Sequence, residues 1–150
     1  MSMVPALSWL NRQRTVSSRQ LRLPVVRQVV ERAWPEVVAA ERRDSVLTKQ
    51  PDIFFVLVSN AKIAALHEEF MNEPSPTDVI TFQHGEIVIS AERAEGEARQ
   101  RGFSLPEEIA RYAVHGMLHL AGWSDASPRA AAALHTIQEK ILRRALRGLC

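Results

Sequence analysis

The sequence predicts an α+β fold, a small mixed four-stranded sheet packed against about five helices, with a metal site on one helix and its C-terminal loop. Three observations predict it. Short apolar, β-branched runs alternate irregularly with segments of helical periodicity. No regular βαβ alternation is present, which argues against a doubly wound sheet. The strongest helix carries two histidines four residues apart and stops at a glycine.

The elements follow in order along the 150 residues. Residues 6–16 are read as a first strand on a weak pattern. From Pro24 to about Ala40, Val25, Val26, Val29, Val30 and Ala33 share one helical face, with Pro24 in the first turn. Ile53–Ser59 (IFFVLVS) is β-branched and aromatic, as a buried strand should be. Asn60 is placed to cap the next helix, with Ile63, Leu66 and Phe70 facing inward. Asp78–Phe82 and Glu86–Ser90 flank His84-Gly85 and predict two paired strands. Ser90 caps a polar helix that stops at Gly102. Ser104 and Glu107 are spaced as a capping box for the following helix, in which Leu105, Ile109, Tyr112, Gly116 and Leu120 recur at helical spacing up to the cap glycine Gly122. Ser127-Pro128 opens a last helix with the stripe Leu134, Ile137, Ile141, Leu142 and Leu146. The Pro-rich break Asn72–Thr77 is too short to separate domains, so residues 1–150 are expected to form one.

Composition narrows the function classes. The longest wholly apolar run, Ile53–Val58, is far short of a membrane span. The segment Met1–Leu10 has no basic region before its apolar residues, so no signal peptide is expected. Cys150 is the sole cysteine, which excludes an internal disulfide framework and a multi-cysteine zinc site, and fits a reducing cytoplasm. Net charge is +2, with basic ends and an acidic middle: nine Lys/Arg against four Asp/Glu in residues 1–50, three against nine in 51–100. The arginines Arg12, Arg14, Arg19, Arg22 and Arg27 can meet phosphate or simply face solvent.

The chemistry concentrates in His115–Asp125 (HGMLHLAGWSD). Residues four apart on a helix lie on one face, so His115 and His119 can aim at one ion. Gly122 ends the helix and lets the chain bring Asp125 to the same ion. Two nitrogens and one oxygen leave a position open for water, the arrangement of a catalytic zinc, which lowers the pKa of that water and polarises a scissile bond. The alternative is two ordinary histidines. Of the other histidines, His84 beside a strand-end glycine is a candidate to approach the site, whereas His67 and His135 are read as surface or packing residues. Gly116 stands where zinc proteases carry their glutamate base, which disfavours a metallopeptidase. A glycine there predicts either close approach by a substrate or backbone, or tight helix packing.

Three ordered segments carry a family resemblance. HGMLHLAGW resembles the H-G-x-L-H-L-x-G-Y/W segment of the YbeY family of metal-dependent endoribonucleases. Pro76–Phe82 (PTDVITF) is similar to its P-T-D-V-L-S-F, and Gly85–Ser90 (GEIVIS) to its G-D-I-V-I-S. The similarity covers roughly residues 10–145. It implies one Zn²⁺ per chain on His115 and His119, with Asp125 in the place of a usual third histidine and Ser124 in that of the aspartate before it. It further implies cleavage of single-stranded RNA in 16S rRNA 3′-end maturation and 70S ribosome quality control, with ribosomal RNA and the small subunit as partners. An arginine usual in the family has Met71 in its place. Arg111, one turn before His115, and Arg12 and Arg14 are candidates to contact phosphate instead. A carboxylate ligand lowers the site's charge, weakens the ion as a Lewis acid and widens metal tolerance. The second reading is a ribosome-assembly factor that binds RNA with weak or no nuclease activity.

Overall fold

The computed structural model describes residues 5–71 and 77–149, with Met71 by its backbone alone, so the Met71 side chain and most of the Asn72–Thr77 break lie outside the described residues. The described elements are β1 (Ala6–Asn11), a one-turn helix α1 (Ser18–Leu21), α2 (Leu23–Ala39), a 3₁₀ turn (Leu47–Lys49), β2 (Asp52–Val58), α3 (Asn60–Met71), β3 (Val79–Phe82), β4 (Glu86–Ser90), α4 (Ala91–Arg101), α5 (Leu105–Leu120) and α6 (Pro128–Ala145). The α+β class, the four strands and the five long helices agree with the sequence reading.

The strands lie in the order β1-β2-β4-β3. β1 and β4 both run parallel to β2, whereas β3 closes antiparallel on β4 with Val79 opposite Ile89 and Phe82 opposite Glu86. The three-residue connection between β3 and β4 contains Gly85 at φ +98°, where an added Cβ would lie 2.8 Å from the Asp52 carbonyl oxygen. A side chain is excluded there by both backbone and space.

The first strand is shorter than expected. Arg12 N–H still bonds the Leu57 carbonyl, but the Gln13 side chain then accepts from Val16 N–H and donates to the Val16 carbonyl, turning the chain away from the sheet. Asn60 is not the cap of α3. Ser59 Oγ takes Lys62 N–H at 3.2 Å, and Asn60 Oδ1 instead accepts from Ser90 Oγ at 2.6 Å. Phe70 is 57% exposed, not inward, and meets Phe82 edge-on. Ser104 caps α5 through Glu107 N–H, but the Glu107 carboxylate pairs with Arg111, so the capping box is half formed.

Period-two alternation divides the sheet. Ile53, Phe55, Leu57, Ile87 and Ile89 face α2 and α5, and Val56, Val58, Ile80 and Val88 face Ile63 of α3. α5 contributes buried residues around most of its circumference and packs against α2, α4, α6, β3 and β4. Burying one such aliphatic side chain stabilises by about 1.5–3 kcal/mol, so α5 is held from every side but that of its two histidines. Among the described residues, no helix is long and apolar enough to cross a membrane.

Candidate metal centre

Three features of the chain create the site. His115 and His119 occupy successive turns of α5, and both are half-buried. The helix then ends in a glycine motif: Gly122 N–H bonds the His119 carbonyl, Trp123 N–H bonds the Leu118 carbonyl, and Gly122 takes φ +97°. The exit loop is tied down by Trp123, whose Nε1–H donates to the Ala40 carbonyl at 2.9 Å while Arg42 lies 3.6 Å over its ring. Arg42 and Val46 N–H groups bond the Ala121 and Leu120 carbonyls, so the segment after α2 braces the same turn. Two residues beyond Trp123, Asp125 is carried back toward the histidines.

The donors converge. His115 Nε2 lies 3.0 Å from His119 Nε2, which lies 3.4 Å from Asp125 Oδ2, and one donor atom from each residue falls within 4.8 Å of the others. Ligands roughly 2.0–2.1 Å from a tetrahedral ion stand about 3.3 Å apart, so this set fits one cation. His115, His119 and Asp125 can form a metal site, and each is a residue the sequence singled out. Burial lowers the His119 pKa and His115 adds to it, against the opposing pull of Asp125 and Trp123, so the ring favours the neutral, ligating form.

Two adjoining hollows of about 320 and 340 Å³ open on the group, and His115, Asp125, Asp78 and Val79 line both. Arg93, Arg101, Tyr112 and His135 line the first, and His67, Thr81 and Gln83 line the second. His67 and His135 thus border the hollows, half-buried and exposed respectively, and neither joins the three-donor group. His84 does not line these hollows; it stacks on Phe82 and sits 3.8 Å from Glu86.

The three candidate phosphate contacts fare differently. Arg111 is at the first hollow, but its side chain is 7% exposed and its guanidinium is bonded to Glu107, Glu108 and Glu139. Burial opposes that charge, yet the three carboxylates outweigh it and hold the pKa above the ordinary value. With its donors committed to carboxylates, Arg111 is not presented to phosphate. Arg12 and Arg14 are exposed and line neither hollow; Arg12 borders a separate one with Val56, Val58, Lys62 and Glu86 on the opposite sheet face.

Gly116 proves to be a packing glycine: a Cβ there would lie 2.7 Å from Ile87 Cγ2. Sequence reasoning missed Gln138, whose Oε1 lies 2.7 Å from His115 Nδ1 and whose Nε2 lies 3.0 Å from Glu139 Oε2. Its signal was a polar residue four after Leu134 and three before Ile141, inside the buried stripe of α6.

Comparison with known proteins follows the same lines. The family model for endoribonuclease YbeY matches residues 15–146. The endoribonuclease YbeY of Heliobacterium modesticaldum is 34% identical over 113 residues, covering 61% of this chain and 68% of that one. The endoribonuclease YbeY of Symbiobacterium thermophilum is 30% identical over 152 residues, covering 89% and 94%. The solution structure of TM1509 from Thermotoga maritima superposes with a TM-score of 0.58 at 24% identity, covering 96% of this chain and 89% of that one, a likeness of fold. The chain belongs to the YbeY endoribonuclease family.

Proposed function

We propose that this chain is a metal-dependent endoribonuclease that cleaves single-stranded RNA. We assign it one Zn²⁺ per chain on His115, His119 and Asp125, and ribosomal RNA as substrate, in 16S rRNA 3′-end maturation and 70S ribosome quality control, in the cytoplasm. The observation that carries the reading is the convergence of two imidazole nitrogens and one carboxylate oxygen at the meeting of two open hollows. When bound, such a cation acidifies a water and polarises a phosphodiester oxygen.

The chain's own groups supply the rest. Asp125 contributes a negative charge that three histidines would not. Arg93 and Arg101, about half exposed, share Glu97 at 3.4 and 3.3 Å and are the cationic side chains of the first hollow able to turn toward a phosphate. Burial, with the nearby Glu108 charge, holds the Tyr112 phenol above its usual pKa, so it stays a neutral hydrogen-bond donor on the same wall.

A second reading, an RNA-binding assembly factor with weak or no nuclease activity, has one observation in its favour: all three arginines of the first hollow are paired with carboxylates. The test uses protein purified without chelator, measured for metal content and incubated with a single-stranded RNA. About one metal per chain, cleavage abolished by chelator and loss of both in His119→Ala and Asp125→Ala are expected. RNA binding without cleavage by the loaded parent would select the assembly factor. Cleavage surviving chelator and His119→Ala would remove the metal from the reaction.

A further inference from the structure

We propose that Gln138 is a positioning residue that readies His115 for metal, its amide oriented by Arg111 through Glu139. A glutamine amide is nearly symmetric in shape, so its neighbours decide which end is oxygen. Glu139 receives Arg111 Nε at 2.9 Å and Nη2 at 3.2 Å. A carboxylate bound this way is ionised and can only accept. The Gln138 atom 3.0 Å from it must therefore be the NH₂ group, which leaves Oε1 facing His115 Nδ1 at 2.7 Å. That oxygen can only accept, so Nδ1 carries the ring proton. The neutral ring then has its lone pair on Nε2, the atom 3.0 Å from His119 Nε2.

The arrangement matters because a neutral imidazole offers a lone pair at one nitrogen only. A solvated ring samples both tautomers, and the form protonated on Nε2 presents no ligand to the centre. The far end of the relay is fixed, since Arg111 is also gripped by Glu107 and Glu108. A neutral amide suits this place. A carboxylate at position 138 would stand beside the Glu139 charge, and Asp125 already lowers the charge of the metal group. Arg111, expected to hold phosphate, thereby acts on the centre through two other side chains.

The decisive measurement is the tautomer of His115 by nitrogen-15 NMR of the chelator-treated, RNA-free protein, at a pH where the ring is neutral. It is independent of the nuclease reading, because neither metal nor RNA is present. The parent is expected to show the proton on Nδ1. Gln138→Leu should lose that preference and bind Zn²⁺ about 10–100-fold more weakly in chelator competition. Gln138→Glu, which keeps an acceptor for Nδ1 but sets a charge beside Glu139, should keep the Nδ1 tautomer, with Zn²⁺ affinity between those of the parent and Gln138→Leu. Glu139→Gln, which frees the amide to turn, should mix the tautomers. Circular dichroism checks that each variant is folded. A parent ring protonated on Nε2 overturns the proposal without any variant. So does a folded Gln138→Leu protein with unchanged tautomer and unchanged Zn²⁺ affinity.

Discussion

Gly116→Ala sets two opposing effects against each other. Alanine in a helix interior is favoured over glycine by about 1 kcal/mol, so on an exposed face the change would stabilise. Here the new Cβ would lie 2.7, 3.0 and 3.1 Å from Ile87 Cγ2, Cδ1 and Cγ1, where carbon atoms prefer about 3.5–4.0 Å. Ile87 is fully buried in a central strand and stiff at χ1. Cγ2 branches directly from Cβ, so it cannot swing away as the tip of a long chain does. Relief must come from moving α5 off the sheet, and overpacking of this kind costs about 1–3 kcal/mol. The net expectation is a loss of about 1 kcal/mol, or roughly 2–4 °C in the thermal midpoint of a chain this size. Metal affinity should weaken too, because His115 precedes the displaced residue. Calorimetry of Gly116→Ala, Ile87→Ala and the double variant completes the cycle. Ile87→Ala alone should cost about 2–5 kcal/mol, and the double variant about 2 kcal/mol less than the sum, because the steric cost disappears while the helix preference for alanine remains. A Gly116→Ala protein as stable as the parent, or strict additivity, would refute the steric argument.

Trp123→Phe removes the donor to the Ala40 carbonyl and weakens the stack with Arg42; a loss of about 1–3 kcal/mol in denaturant unfolding and weaker Zn²⁺ binding through a looser Asp125 are expected, and unchanged affinity would detach the loop anchor from the centre. Burial alone would raise the Glu139 carboxyl, but hydrogen bonds from Arg111 and Gln138 outweigh it and leave its pKa lowered. Its stabilisation is therefore complete above the unfolded carboxyl value and is lost as pH falls through the lower folded one. Unfolding of the metal-free parent should show a steeper acid limb than Glu139→Gln, and identical slopes would count against that linkage. Replacing Arg12 and Arg14 by glutamate should leave metal content and the salt dependence of RNA binding unchanged, since both lie away from the centre; a slope reduced by about 0.7 per residue would place RNA phosphates on that face instead.

The metal group was legible because its information is local. A four-residue spacing, a cap glycine and a carboxylate three residues later are enough to aim His115, His119 and Asp125 together. Gly116 was half legible: the need for closeness was visible, but that Ile87 fills the space depends on β4 docking beneath α5. Asn60 and Ser59 can each cap a helix, and only the Ser90 hydroxyl, thirty residues on, decides between them. The length of β1 depended on Gln13 folding back on Val16, a side-chain bond with no periodic signature. Arg111 was misread for the same reason. Two of its three carboxylates are neighbours on α5, but Glu139 lies twenty-eight residues away on α6, and helix packing joins them.

The charges around the centre point to an order of events. The first hollow sets Asp78, Glu97, Glu108 and Asp125 against Arg93, Arg101 and Arg111, with Glu107 and Glu139 also spent on Arg111. Without a cation, an approaching phosphodiester meets an acidic wall whose arginines are already paired. Two added positive charges at His115, His119 and Asp125 cancel Asp125 and one further carboxylate, and relieve the pull on Arg93 and Arg101. On the proposed function, a carboxylate in place of a neutral imidazole as third ligand both weakens the ion as a Lewis acid and makes the hollow more dependent on it electrostatically. On the proposed function, affinity for RNA and affinity for metal are two readings of one charge balance. Asp125, the carboxylate among the three donors, is the residue that couples them.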